Sequence, residues 1–171
     1  AASLAASALS FPTGGAFFII LAGHLGFFRD PKRMIPLGDA LLSPADGKVV
    51  EISSQTETKY LYQEAVKIGI FLSIFDAHIN RFPMGGRVEY LEHVSGKFIN
   101  ALSGDSSRDN ESHWLGLRNG EQRLLVRQIA GAIARRIYCD AERLEEVERG
   151  QKFGIICYGS RVEIFIPKGS F

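Results

Sequence analysis

From Ala1 to Phe28 the chain carries no Asp, Glu, Lys or Arg, and this charge-free start limits what the rest can be. The stretch from Phe11 to Phe28 is almost wholly apolar, and about 20 such residues suffice to span a bilayer. Two readings stay open: a membrane anchor or embedded hairpin, and a glycine-broken helix buried in a core. Arg29, Lys32 and Arg33 follow at once, and by the positive-inside tendency they would hold the downstream chain on the cytoplasmic face of the cell membrane. A small-residue cleavage pattern of the signal-peptide kind does not follow Phe28. The chain therefore divides into an apolar segment, 1–28, and one soluble domain, 29–171.

That domain reads as mainly β. Expected strands are Lys48–Ile52, Ala65–Phe75, Arg87–Val94, Arg123–Val126 and Val162–Ile166, the last stopped by Pro167. Gln128 to Cys139 fits a helix or a strand, because Ile129, Ile133 and Ile137 fall at helical spacing within a β-branched run. Ser103 to Glu111 is polar enough for an exposed loop, and Ala141 to Glu148 is charged enough for a surface helical turn. The expected fold class is a β-rich α+β domain, compact and barrel- or sandwich-like, with an apolar, membrane-associating N-terminal helix. A balance of 20 basic against 19 acidic residues argues against a nucleic-acid partner. Cys139 and Cys157 sit in apolar runs without metal-ligand spacing, and read as buried thiols in a reducing compartment. The four scattered histidines form no metal pattern.

Three segments carry chemistry. Ser43-Pro-Ala-Asp-Gly47 is a turn, and Asp46 within it is either a turn residue or a functional carboxylate. Phe75-Asp-Ala-His-Ile-Asn-Arg81 places His78 after an apolar strand, with Asp76 on the same face if the strand continues. An imidazole there can move a proton near neutral pH, or can be a hydrogen-bonded strand end. His24, His93 and His113 look weaker, in the apolar segment, on an amphipathic strand and in a polar loop. Gly159-Ser160 joins two apolar stretches. A serine hydroxyl can attack the preceding carbonyl in an N-to-O acyl shift, given a base and oxyanion donors.

Taken in order, these stretches resemble the phosphatidylserine decarboxylase family in its short, bacterial and archaeal type. The matching residues include Phe27-Phe-Arg-Asp-Pro31, Leu42-Ser-Pro-Ala-Asp-Gly-Lys-Val-Val50, Ile68 to Arg81, Gly96-Lys-Phe-Ile-Asn-Ala101, Asn110-Glu111, Arg127 to Ile137 and Phe153 to Val162. The resemblance implies a proenzyme that cuts itself between Gly159 and Ser160 into two chains that stay together. Ser160 would become a covalent pyruvoyl group, with no metal. It would take the amine of phosphatidylserine as a Schiff base, lose CO₂ and release phosphatidylethanolamine for phospholipid biosynthesis. The resemblance assigns Ser160 as pyruvoyl precursor, His78 as base and Asp46 as its partner. Larger relatives have a second His where this chain has Arg81. Arg81 either binds a substrate carboxylate or phosphate, or pairs with an acid such as Asp76. The partners implied are membrane phosphatidylserine and the chain's own fragments, and a homodimer stays open. Two rivals remain: a carrier barrel of the lipoyl or phosphocarrier type, and a pyruvoyl decarboxylase of a soluble amino acid.

Overall fold

The computed structural model describes residues 2–97, 109–131, 136–157 and 160–170. One helix, α1 (Ala2–Phe27), precedes the strands β1 (Lys48–Glu57), β2 (Gln63–Leu72), β3 (Ile79–Arg81), β4 (Gly86–Val94), β5 (Ser112–Asn119), β6 (Gln122–Ile129), β7 (Ile137–Cys139), β8 (Glu146–Val147), β9 (Lys152–Ile156) and β10 (Ser160–Pro167). They form a seven-stranded sheet in the order β1-β2-β10-β6-β5-β4-β8 and a smaller one in the order β3-β9-β7. The mainly β expectation holds, and the sheets are not closed.

The last long strand lies in the middle of the large sheet. β10 pairs antiparallel with β2, from Ser160 opposite Leu72 to Pro167 opposite Ala65, and with β6 on its other edge. Its apolar residues explain the position, because both of its faces are covered. Val162 and Ile164 enter the main core with Leu72, Phe82, Val88, Leu115, Leu124, Val126, Phe153 and Ile156. Phe165 enters a second core on the opposite face with Tyr60, Ala65, Trp114 and Leu125. The Phe82 and Phe153 rings, 5.0 Å apart, join β9 to the chain after β3.

Several sequence expectations change here. β2 stops at Leu72 instead of running to Phe75, because the Asp76 carboxylate accepts hydrogen bonds from the Ser73 N–H (2.8 Å) and Oγ (2.7 Å). Ala141 to Glu148 is not a helical turn. Leu144 takes a positive φ of 72°, and main-chain bonds join Leu144 and Glu145 to Val88 before β8 begins. His113 lies on β5, opposite His93 of β4, instead of in a loop. Strands β3 and β5 were not expected. Cys139 and Cys157 are free thiols, half-buried instead of buried. Of the ambiguous run from Gln128 to Cys139, both described ends are strand, and 132–135 lie outside the described residues, as do 103–108 of the expected loop.

α1 touches the domain through its last residues. Phe27 is buried while Phe17, Phe18, Ile19, Ile20 and Leu25 are exposed. No helix among the described residues is long and apolar enough to cross a membrane.

Candidate active site

His78 and Ser160 reach one end of the molecule by different routes. The β2–β3 connection starts at Leu72, which pairs with Ser160, and delivers His78 just before β3. There the Ile156 N–H meets the His78 carbonyl at 3.4 Å, so β9 ends beside His78. Four residues on, the chain has returned to Ser160, and four steps of extended chain cover at most about 14 Å. The topology thus bounds how far Ser160 can lie from the chain at His78. Both side chains are fully buried. Gly159, on the amino side of the expected cut, lies outside the described residues.

The His78 ring packs on Phe27, with centroids 4.2 Å apart. Burial pushes its pKa below the ordinary histidine value, and the Arg29 charge adds to that. The Asp76 carbonyl opposes the shift. That carbonyl, 2.9 Å from Nδ1, also orients the ring. With Nδ1–H donating, Nε2 carries the lone pair, so the ring is a neutral base at pH 7. Asp76 does take part at this site, but through its main chain. It lies in a turn and its side chain bonds back to Ser73.

Asp46 shares a cavity with Ala77 and Ile79, the neighbours of His78. The Ser43–Gly47 turn runs beside β3, where the Arg81 N–H donates to the Pro44 carbonyl at 3.0 Å. Gly47 has φ +137°, and a Cβ there would stand 2.3 Å from the Phe71 carbonyl oxygen, so only glycine fits. This turn and β3 line a cavity of about 170 Å³ with Asp46, Ala77, Ile79, Arg81 and Arg33 on its wall. Asp46 pairs with Arg33. Ala77, Ile79 and Arg81 face this cavity, while His78 and Asn80, at the alternating positions, are buried. The structure therefore gathers Asp46 and Arg81 at one cavity, and leaves His78 and Ser160 buried away from its wall. Arg81 finds its acid in Asp30 (3.3 Å), not Asp76, and also donates to the Gly150 and Pro31 carbonyls.

Two features escaped the sequence reading. Asn80 and Gln128 are buried and joined by a 2.7 Å hydrogen bond from Gln128 Nε2 to Asn80 Oδ1. The available signal was Asn80's place two residues from His78. The other is a charged cluster beneath the second core. Arg161 donates to Glu51 and, at 3.0 Å, to Glu163; Lys67 lies 2.6 Å from Glu51, and Arg127 lies 3.5 Å from Glu163. Its signal was Arg161 and Glu163 alternating through an otherwise apolar strand.

Ser160 Oγ, Asn80 Nδ2 and Gln128 Oε1 are buried without a hydrogen-bond partner among the described residues. Interiors seldom leave such atoms unpaired, and a buried titratable imidazole in the same molecule marks a functional site by the same reasoning. The chain belongs to the phosphatidylserine decarboxylase family, whose model matches residues 22–171. It is 42% identical to the phosphatidylserine decarboxylase proenzyme of Carboxydothermus hydrogenoformans, over 94% of this chain and 76% of that protein. The proenzyme of Nitrosomonas europaea is 40% identical, over 90% and 72%. That of Symbiobacterium thermophilum is 44% identical, over 84% and 68%.

Proposed function

We propose that this chain is a self-processing decarboxylase that converts phosphatidylserine to phosphatidylethanolamine and CO₂, using a pyruvoyl group made from Ser160. The observation that carries the reading is the Ser160 hydroxyl, fully buried at the first residue of a central strand with no hydrogen-bond partner among the described residues. A hydroxyl placed there is costly unless it reacts, and its interior position suits a group that must be kept from water. The residues present fit such a group. Ser160 supplies its atoms, and β10 anchors it through the pairing with Leu72. Once formed, a pyruvoyl group supplies a carbonyl that captures the substrate amine and accepts the electron pair released with CO₂.

The chain's own residues do the rest. His78 Nε2 takes the proton of Ser160 Oγ during self-cleavage and later holds a proton for the substrate carbon. The Asp76 carbonyl keeps the ring in the required tautomer. Asp46, matched by Arg33 in this state, is the carboxylate that orients and stabilises the imidazolium during processing. Arg81 is the cation on the cavity wall for a substrate carboxylate or phosphate.

The chain works at the cytoplasmic face of the cell membrane. Support comes from the exposed apolar side chains of α1 and from Ile74 and Phe75, which line one groove with Ile20, His24 and Phe27. Phe75 is 80% exposed three residues before His78. A lipid lying against that surface presents its headgroup near the interior edge.

The test is the denatured intact mass. Wild type should give fragments ending at Gly159 and beginning at residue 160, the second with the serine-to-pyruvoyl mass loss. Ser160→Ala should give one whole, inactive chain. A wild-type chain that stays whole while folded, or decarboxylates without being cut, would overturn the reading.

A further inference from the structure

Helix α1 meets the domain at its carboxyl end, and what it places there is a ring on the imidazole. Phe27 is buried, while Phe17, Phe18, Ile19, Ile20 and Leu25 of the same helix are exposed. Phe27 enters neither of the two cores. Its ring lies on the His78 imidazole instead, with centroids 4.2 Å apart. Phe28 braces Phe27 edge-on at 5.0 Å and lies 5.3 Å from the His24 ring. The one apolar side chain that α1 buries in this stretch is thus spent on covering His78.

Arg29 fixes that seat through two carbonyls. Its Nη1 donates to the Gly26 carbonyl at 2.8 Å, a cap on the last turn of α1. Its Nη2 donates to the Phe75 carbonyl, in the turn before His78. The next carbonyl of that turn, Asp76, lies 2.9 Å from His78 Nδ1. One guanidinium therefore ties the end of α1 to the turn that orients the imidazole. The charged groups facing His78 are Arg29, from the end of α1, and Asp76, from its own turn. From β9 comes Ile156, which carries no charge. A ring face covered by Phe27 is closed to water, and desolvation disfavours the imidazolium.

Resting on the reading of His78 as the base that takes the Ser160 proton, we propose that Phe27 is a positioning residue for self-cleavage, which holds the His78 ring in place, and that Arg29 seats Phe27 there. The helix whose apolar side chains are exposed thereby forms one wall of the reacting site as well as a surface for lipid. His78 works as a base in its neutral form, so the rate of cutting falls as the pH drops through its pKa. Phe27 acts in two ways. It keeps water from the ring, which preserves the neutral form to lower pH, and it limits the tilt of the ring, so that Nε2 keeps one direction. A displacement of about 1 Å at such a group costs about 100-fold in rate.

Phe27→Ala, Phe27→Leu and Arg29→Met test this by two measurements, alongside thermal unfolding. One is the His78 imidazole titration by NMR, with each substitution made in the uncut Ser160→Ala chain. The other is the fraction cut against time by intact mass, with Ser160 in place, from about pH 5 to about pH 8. Phe27→Ala should move the titration up toward the ordinary histidine value and carry the acid limb of the cutting profile with it. It should also slow cutting by about 10–100-fold at the alkaline end, where the ring is neutral with or without Phe27. Phe27→Leu still covers the ring and should restore most of both. Arg29→Met removes a cation and the bridge to Phe75, so it should move the titration the same way and slow cutting less than Phe27→Ala. A Phe27 that only packs would lower the unfolding midpoint and leave the titration where it is. That result, or a Phe27→Ala chain cut at the wild-type rate across the range, overturns the inference and leaves the Ser160 reading standing. A wild-type chain that is never cut overturns both.

Discussion

Glu163→Gln removes one charge from the cluster that holds β10 in register behind Ser160, and its cost can be worked from the contacts. Glu163 is 1% exposed. It accepts from Arg161 Nε at 3.0 Å, with Arg127 Nη1 at 3.5 Å and Lys67 Nζ at 3.9 Å. Glu51 meets Lys67 and Arg161, and those bonds hold its carboxyl down to about 2. Neutralising Glu163 removes the carboxylate that faces Arg161 and Arg127, both nearly as buried as Glu163 was, and leaves Glu51 facing Lys67 and Arg161. Breaking a buried pair from one side costs about 3–5 kcal/mol, because the remaining charge stays desolvated. For a chain of this size that is a fall of about 6–20 °C in the unfolding midpoint. The measurement is calorimetry in the Ser160→Ala background, which keeps one uncut chain. Glu64→Gln is the control: it breaks a shorter contact, 2.8 Å to Lys168, but both partners are exposed, and the midpoint should not move. A Glu163→Gln fall of less than about 2 °C, or equal falls in both variants, would refute the reasoning that burial sets the cost.

Gly47→Ala should destabilise by about 2 kcal/mol or more, since φ +137° and a 2.3 Å approach to the Phe71 carbonyl must both be relieved; chemical denaturation of the uncut chain measures it. Burial lowers the pKa of His78 and His113, so between the ordinary histidine value and these lowered values the unfolded chain binds more protons than the folded one. Stability should be fully present above pH 6.5 and fall as the pH drops through that window; His113→Leu should flatten part of the slope, and a midpoint constant from pH 7.5 to 5 would contradict the buried neutral state. His78→Ala should stop or strongly slow self-cleavage, whereas Asp46→Asn should slow it less, because Asp46 meets Arg33 and the Asp76 carbonyl already orients the ring; time courses of intact mass compare them, and equal losses would refute that difference.

What the sequence made legible depended on which forces wrote it. β2 and β10 are apolar on both faces, so their existence was readable without knowing their neighbours. β5 was not, because Ser112, His113, Arg118 and Asn119 give it a polar outline, and its pairing with β4 and β6 is what makes it a strand. The misread run at Ala141–Glu148 has the same cause: Val88, more than fifty residues away, exchanges main-chain bonds with Leu144 and Glu145, so the chain makes one turn there and enters β8 instead of continuing as a helix. His78, Ser160 and Asp46 could be picked out as chemical groups. Their grouping could not, since it depends on which face of β3 each neighbour takes. Arg81 found Asp30 because the chain after α1 passes along the cavity, a contact across fifty residues that no local pattern records.

Burial explains both the stability and the chemistry. An exposed Ser160 would have its hydroxyl satisfied by water, and an exposed His78 would lose the burial that lowers its pKa. The protein instead keeps an unpaired hydroxyl and a neutral imidazole where water does not compete, and offsets their cost along the same strand. Val162, Ile164 and Phe165 fill two cores within five residues of Ser160, and the Arg161–Glu163 pair lies between them. Position 160 is thus held by the residues on its carboxyl side. A cut on its amino side leaves the pairing with β2 and β6, both cores and the charge cluster intact. The chain end that the proposed cut would create is therefore held in place by β10.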